Sequence, residues 1–255
     1  MANGEHLDGG DHPDPTAGLP FRRKPADRRF HGRRIGPGLS ERQKRLLTEA
    51  LPRFAIARDL LAGDGEVSPA AFFDRPHDRY ALEIGFGKGE FLLARAMAEP
   101  DTGFIGAEPY LNGVVALVNA MPAAGVSNIR IHPDDARDLL ERLRPASLDA
   151  VYLIHPDPWP KRRHAKRRFV NPENLDLVAR VLKPGGRFLV VSDDPVYQRW
   201  TAIVMANRAD FSWTANGPAD WLNPPPEWRE TRYAGKAAAE GRRDVFFVYR
   251  RLPAA

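Results

Sequence analysis

Cysteine is absent from the 255 residues, which excludes disulfides, thiolate zinc sites and a cysteine nucleophile, and points to the cytoplasm as the compartment. No apolar run approaches membrane-spanning length, and the N-terminus carries charges and prolines where a signal peptide needs an apolar stretch. A soluble chain is expected. Neither sign of charge prevails: 38 Lys and Arg face 33 Asp and Glu, only a mild bias toward polyanions. No internal repeat is visible. What remains is a 43% hydrophobic composition over a length suited to one large α/β domain with extensions.

The basic residues are unevenly spread. Residues 22–34 hold seven of them against one acid, inside a Pro- and Gly-rich stretch without hydrophobic period. Residues 1–38 are therefore expected to form a largely disordered tail, and residues 39–255 a single domain. Ser40 is a candidate N-cap for a helix over 41–50, whose Leu46 and Leu47 would pack it on that domain. Apolar runs near 80–84, 103–108, 128–132, 149–154 and 186–192 read as strands. Helical periods cover about 89–98, 110–121, 135–143, 172–182 and 197–207, the fourth ended by Lys183-Pro184-Gly185-Gly186. Two final strands, at 211–214 and 244–249, flank a Pro- and Trp-rich excursion. Such alternation predicts an α/β fold with a doubly wound sheet.

The most informative segment is Glu83-Ile84-Gly85-Phe86-Gly87-Lys88-Gly89, where a carboxylate ends one apolar run and three alternate glycines lead into a helix. Glycines without a Cβ let the backbone pass beneath a bulky ligand. A dinucleotide fold needs G-x-G-x-x-G and cradles a pyrophosphate on the helix N-terminus, so the spacing G-x-G-x-G disfavours a nicotinamide cofactor. S-adenosylmethionine has no pyrophosphate, and Glu83 suits its cationic methionine end. Glu108 closes the next apolar run about twenty residues on, where a carboxylate accepts from ribose hydroxyls.

Ligands of open α/β sheets bind at the carboxyl ends of strands. The fourth run ends in His155-Pro156-Asp157-Pro158-Trp159-Pro160, a loop stiffened by three prolines that presents Asp157 and Trp159 in set directions. Lys161-Arg162-Arg163-His164-Ala165-Lys166-Arg167-Arg168 follows, with six cations and no acid. Beside a cofactor site such a run suits phosphates, and Trp159 suits stacking on a splayed base, so an RNA or DNA substrate is expected.

With both sites in hand, the chain resembles the bacterial tRNA (guanine-N7)-methyltransferase family from about residue 29 to 251. The resemblance rests on Arg33-Arg34-Ile35-Gly36, Leu82 through Gly89, Gly106-Ala107-Glu108, Asp135-Ala136, Pro156 through Lys161 with Lys166-Arg167-Arg168, Ser192-Asp193 and Thr231-Arg232-Tyr233. It implies a Rossmann-like, mostly parallel seven-stranded sheet with an antiparallel last strand, and methyl transfer from S-adenosylmethionine to N7 of the variable-loop guanine of tRNA. It further implies that Glu83, Gly85, Gly87, Gly89, Glu108, Asp135 and Asp157 line the cofactor pocket, with Asp157 also the catalytic residue. Lys161, Asp193, Thr231, Arg232 and Tyr233 would contact the tRNA or its target base, together with Trp159, Lys166, Arg167 and Arg168. No metal is implied. Asp135 also reads as a helix N-cap before Ala136. The family has a glutamate three residues after the threonine, where this chain has Ala234.

Other readings of the same residues stay open. An amino-methyltransferase acting on adenine or cytosine also ends its fourth strand with an acid or amide, prolines and an aromatic, though in the order D/N-P-P-Y/F. A noncatalytic RNA-binding module could retain such a fold. Oligomeric state is open, as monomer or homodimer.

Overall fold

A computed structural model describes Arg34, Gly36 and residues 38–229 and 240–253. Strands β1 (Arg79–Ile84), β2 (Thr102–Ala107), β3 (Ile129–His132), β4 (Leu148–Ile154), β5 (Leu182–Ser192), β6 (Phe211–Trp213) and β7 (Val245–Arg251) form one sheet in the order β3-β2-β1-β4-β5-β7-β6. The first five are mutually parallel, and β7 runs antiparallel to both β5 and β6. The helices are α1 (Glu41–Arg45), α2 (Asp59–Ala62), α3 (Glu90–Ala98), α4 (Leu111–Ala124), α5 (Ala136–Arg142), α6 (Pro172–Val181), α7 (Pro195–Ala206) and α8 (Pro218–Leu222).

Strands buried on both faces read as continuous apolar runs because successive side chains feed opposite cores. Leu82, Ile84, Val151, Leu153, Phe188 and Val190 pack with α5, α6 and α7 on one side. Ala81, Tyr152, Ile154, Leu189 and Val191 pack with α3 and α4 on the other. Each fully buried side chain of this size contributes about 1.5–3 kcal/mol. The sheet is thus doubly wound, and its order turns back between β1 and β4, which opens a crevice at their carboxyl ends. No helix among the described residues is long and apolar enough to cross a membrane.

Local chemistry sets the boundaries. Ser40 caps α1 through a capping box with Gln43. The helical stretch expected over 41–50 continues past Arg45 as a π-helical turn at Leu46–Ala50, and Leu47 and Leu51 are buried beside α4. Asn171 and Asp194 cap α6 and α7, each with a proline at the start of the helix. One boundary differs from expectation: α6 ends at Val181, and Leu182 already pairs with Leu148. Lys183-Pro184-Gly185-Gly186 is then a bulge inside β5 rather than a helix stop, because the register resumes only at Arg187 opposite Ala150. Lys183 pins the bulge through Asp149 at 2.8 Å, and the same carboxylate accepts from Tyr80 N.

Most of the expected tail lies outside the described residues. Docking begins before the boundary expected at residue 38, since the Arg34 carbonyl accepts from Leu111 N at 2.8 Å and Gly36 N donates to Asn112 Oδ1 at 2.9 Å.

Candidate active site at the carboxyl edge of the sheet

The glycine loop joins β1 to α3 in left-handed backbone. At Gly89, with φ 77°, a Cβ would also meet Leu117 Cδ1 at 2.7 Å, so side chain and conformation are both refused there. Glu108, just past β2, holds the loop from below. Its Oε2 accepts from Gly87 N at 2.7 Å and its Oε1 from Tyr110 N at 2.8 Å. Burial nevertheless raises its carboxyl to about 7, assisted by the charge of Asp157 and opposed by those two backbone donors.

Glu83 is 2% exposed, and its Oε2 has no hydrogen-bond partner. Burial, and then the charge of Glu108, push its carboxyl up to about 8. Asp157 is exposed at the mouth, yet the desolvating walls around it raise its carboxyl above the usual range. Three carboxyl groups at the ends of β1, β2 and β4 therefore share one crevice, where the charge of Asp157 acts on Glu108 and that of Glu108 on Glu83. An orphaned buried oxygen beneath a glycine loop fits a cationic ligand group, which would restore the missing partner.

Asp135 sits beyond β3 and caps a helix, the alternative that its place before Ala136 suggested. It caps α5 by accepting from Arg137 N at 3.0 Å, and it pairs with the Arg137 guanidinium at 2.6 and 3.0 Å. A ligand amino group reaching this carboxylate would share it with Arg137. Neighbouring Asp134 pairs with Arg34 at 2.5 Å, which brings the N-terminal segment to the same rim.

The loop after β4 is stiff, though not through its prolines alone. His155 and Trp159 adopt φ of 46° and 42°, a strained region for residues with a side chain. Arg168 holds this shape. It is 5% exposed, donates to the carbonyls of Pro158 at 3.1 Å and Trp159 at 2.9 Å, and stacks on Trp200 with 4.7 Å to the ring centroid. Arg168, one of the residues expected at the tRNA, is thus committed to the loop carbonyls and to Trp200 in this structure. Trp159 carries the Arg167 guanidinium over its ring at 4.9 Å and His164 at its edge. Lys161, Arg162, Arg163 and Lys166 are exposed.

Asp193 follows β5 on the same edge and pairs with Arg242. Thr231, Arg232, Tyr233 and Ala234 lie outside the described residues. Sequence reasoning missed His155 and Asp244, whose Nε2 and Oδ1 approach to 2.7 Å, and Gly113, where a Cβ would overlap the Gly87 carbonyl oxygen. Neither carries a local signal, since the partners are 89 and 26 residues apart.

A family described as "Putative methyltransferase" matches residues 77–247. The tRNA (guanine-N(7)-)-methyltransferase of Rhodospirillum rubrum is 44% identical over 232 residues, covering 90% of each chain. That of Rhizobium johnstonii is 46% identical over 231 residues, covering 91% of this chain and 98% of the relative. Among solved structures, one titled PH0851 superposes with a TM-score of 0.52 at 12% identity, over 72% of this chain and 45% of that one, a likeness of fold.

Proposed function

We infer the reaction from the premise that this chain belongs to the tRNA (guanine-N7)-methyltransferase family: it transfers the methyl group of S-adenosylmethionine to N7 of the variable-loop guanine of tRNA. The single observation that supports this best is the buried, unpartnered Glu83 oxygen beside Glu108, under a loop whose Gly85 opens onto free space. When bound, S-adenosylmethionine supplies an activated methyl on a sulfonium cation. Glu83 would receive its ammonium end, Glu108 its ribose hydroxyls, and Asp135 its adenine amino group.

Guanine N7 carries an in-plane lone pair, so the chain needs no general base. Methyl transfer from a bound sulfonium to N7 would carry positive charge from sulfur to the purine, where Asp157 would stabilise it. Alignment of nucleophile, methyl and sulfur supplies the larger part, about 7–11 kcal/mol in well-oriented systems. Lys161, Lys166 and Arg167 would position the tRNA backbone, with Asp193, Thr231, Arg232 and Tyr233 nearer the base.

The direct test is transfer of labelled methyl from S-adenosylmethionine into unmethylated tRNA, followed by nucleoside analysis. Label in 7-methylguanosine is the expected result, and label in an adenine or cytosine derivative would replace this reading with an amino-methyltransferase. Glu108→Ala removes two charge-assisted bonds worth about 1.5–3 kcal/mol each when fully realised, and the loop it holds. The dissociation constant of S-adenosylmethionine is expected to rise by about one to two decades in calorimetry; an unchanged constant would contradict the role of Glu108.

Glu83 and Glu108, at about 8 and 7, keep much of their proton in the free protein at neutral pH. Their raised values favour the neutral forms in the fold, so each withdraws stability as pH rises from the unfolded value through the folded one. A cationic ligand favours the ionised forms, so binding releases protons and S-adenosylmethionine affinity climbs between about pH 6 and 8, by up to about tenfold per unit for each proton released. Binding heats that are identical in buffers of different ionisation enthalpy would rule out that release.

Replacing Lys161, Arg163 and Lys166 together by glutamine is expected to weaken tRNA binding and flatten its dependence on salt, by up to about 0.9 in the log–log slope for each phosphate no longer neutralised. A slope equal to that of the unaltered protein would assign these three side chains to solvent.

A further inference from the structure

Asp193 stands at the carboxyl end of β5, on the edge that holds Asp157, and its Oδ2 is engaged from within the chain. Arg242 donates to it through Nη1, while Nη2 donates to Glu240 at 2.6 Å. The Asp193 side chain is 15% exposed and that of Arg242 is 39%. Behind them His155 and Asp244 form a wall, 7% and 12% exposed, and the polar atoms of His155, Asp193 and Asp244 all lie within 4.8 Å of one another. His155 keeps its left-handed backbone with its N–H on the Val191 carbonyl at 2.9 Å, so this wall belongs to the sheet edge. Three groups of this kind can hold a metal ion, but the cation the cluster calls for is already supplied by Arg242.

A guanidinium presents amino and imino N–H donors on one planar carbon. In guanine, the ring N1–H and the amino group on C2 form a comparable pair of donors flanking one carbon, without the charge, and a carboxylate that here accepts from a single guanidinium Nη1 has room for both. Adenine has no donor at these two positions and would turn the N1 lone pair toward the carboxylate. N7 lies on the far side of the purine from this edge, so a base held at Asp193 leaves its nucleophile free. Arg242 itself sits in a turn beside Gly241, whose φ is 70°, on the solvent side of the pair.

We propose that Arg242 is an in-chain placeholder for the target guanine: it occupies the Asp193 carboxylate in the free protein and is displaced by the Watson–Crick edge of the base when tRNA binds. The proposal rests on the N7-guanine reading above. Its energetic logic is that of a site only partly available, where apparent affinity is reduced by the fraction of molecules in which Asp193 is open. Removing the occupant should tighten binding, whereas removing an ordinary phosphate contact should weaken it.

The experiment measures equilibrium tRNA binding and the KM for tRNA, at saturating S-adenosylmethionine, for Arg242→Gln and Arg242→Lys. Nucleoside analysis of the unaltered protein's product first decides whether the N7-guanine reading holds, so that failure is seen separately. Arg242→Gln is expected to bind tRNA about threefold to tenfold more tightly, as a site freed of its occupant requires, and Arg242→Lys to gain less, because its ammonium can still pair with Asp193. In an Asp193→Asn background, read by binding alone, Arg242→Gln is expected to change nothing, since the interaction it removes is no longer an ion pair. Weaker binding by Arg242→Gln in both backgrounds, with lysine restoring it, would make Arg242 a phosphate contact and overturn the proposal. An unchanged affinity of Arg242→Gln would overturn it equally.

Discussion

Asp157→Ala is expected to lower the turnover of methyl transfer by about 10²–10³-fold, the usual cost of deleting one preorganised electrostatic partner of a transition state. Position is the reason. Asp157 follows β4 at the crevice where the strand order reverses, its loop is clamped by Arg168, and its charge is felt at Glu108. On the proposed reading the carboxylate would already be in place for the positive charge that methyl transfer brings to the purine and would need no reorganisation. Because Glu83 and Glu108 are untouched, the dissociation constant of S-adenosylmethionine is expected to stay within about threefold, less than one hydrogen bond to a charged group is worth. Single-turnover transfer and calorimetry on the same preparation check both halves. Turnover near that of the unaltered protein, with cofactor bound normally, would remove Asp157 from the chemistry.

Gly113→Ala should be the most damaging small substitution outside the crevice. Gly113 lies on α4, and a Cβ there would overlap the Gly87 carbonyl oxygen and stand 2.8 Å from its carbonyl carbon. Those atoms are backbone, so no rotamer change relieves the clash, and the loop or the helix must move. Moving the loop also disturbs the bond from Gly87 N to Glu108. Overpacking of this kind costs about 1–3 kcal/mol, which corresponds to a rise of about one to two decades in the S-adenosylmethionine dissociation constant if the loop yields. A fall in Tm without loss of affinity would mean that α4 yields instead, and neither effect would mean that the two backbones do not touch.

Asp157 was legible because it stands in Pro156-Asp157-Pro158-Trp159, at the end of an apolar run where open α/β sheets bind ligands. Glu83, Glu108 and the alternate glycines were legible for the same reason, since each is tied to a strand end by spacing along the chain. Gly113 was not. It reads as one ordinary residue in a helical period, and its constraint comes from a backbone atom 26 residues away. His155 and Asp244 behave likewise, for nothing near either position announces the other. Arg168 shows the converse: in the sequence it is one cation among six, and only burial against Trp200 and the loop carbonyls separates it from its exposed neighbours. Lys183-Pro184-Gly185-Gly186 reads as a helix stop because turn residues signal a break, while pairing partners decide whether the break lies between elements or inside one.

By itself the sequence determined the alternation of strands and helices, the carboxylates at the ends of β1 and β2, the glycine loop and the basic segment after β4. All of these arise from local preference or from the two periodicities that bury apolar faces, and both are written along the chain. The tertiary structure alone decided which carboxyls lose their water and hold protons near neutrality, which arginine is a strut, and that Arg242 fills Asp193. Desolvation, Coulomb interaction and steric exclusion depend on distance in space, and the sheet brings together residues that the chain keeps far apart.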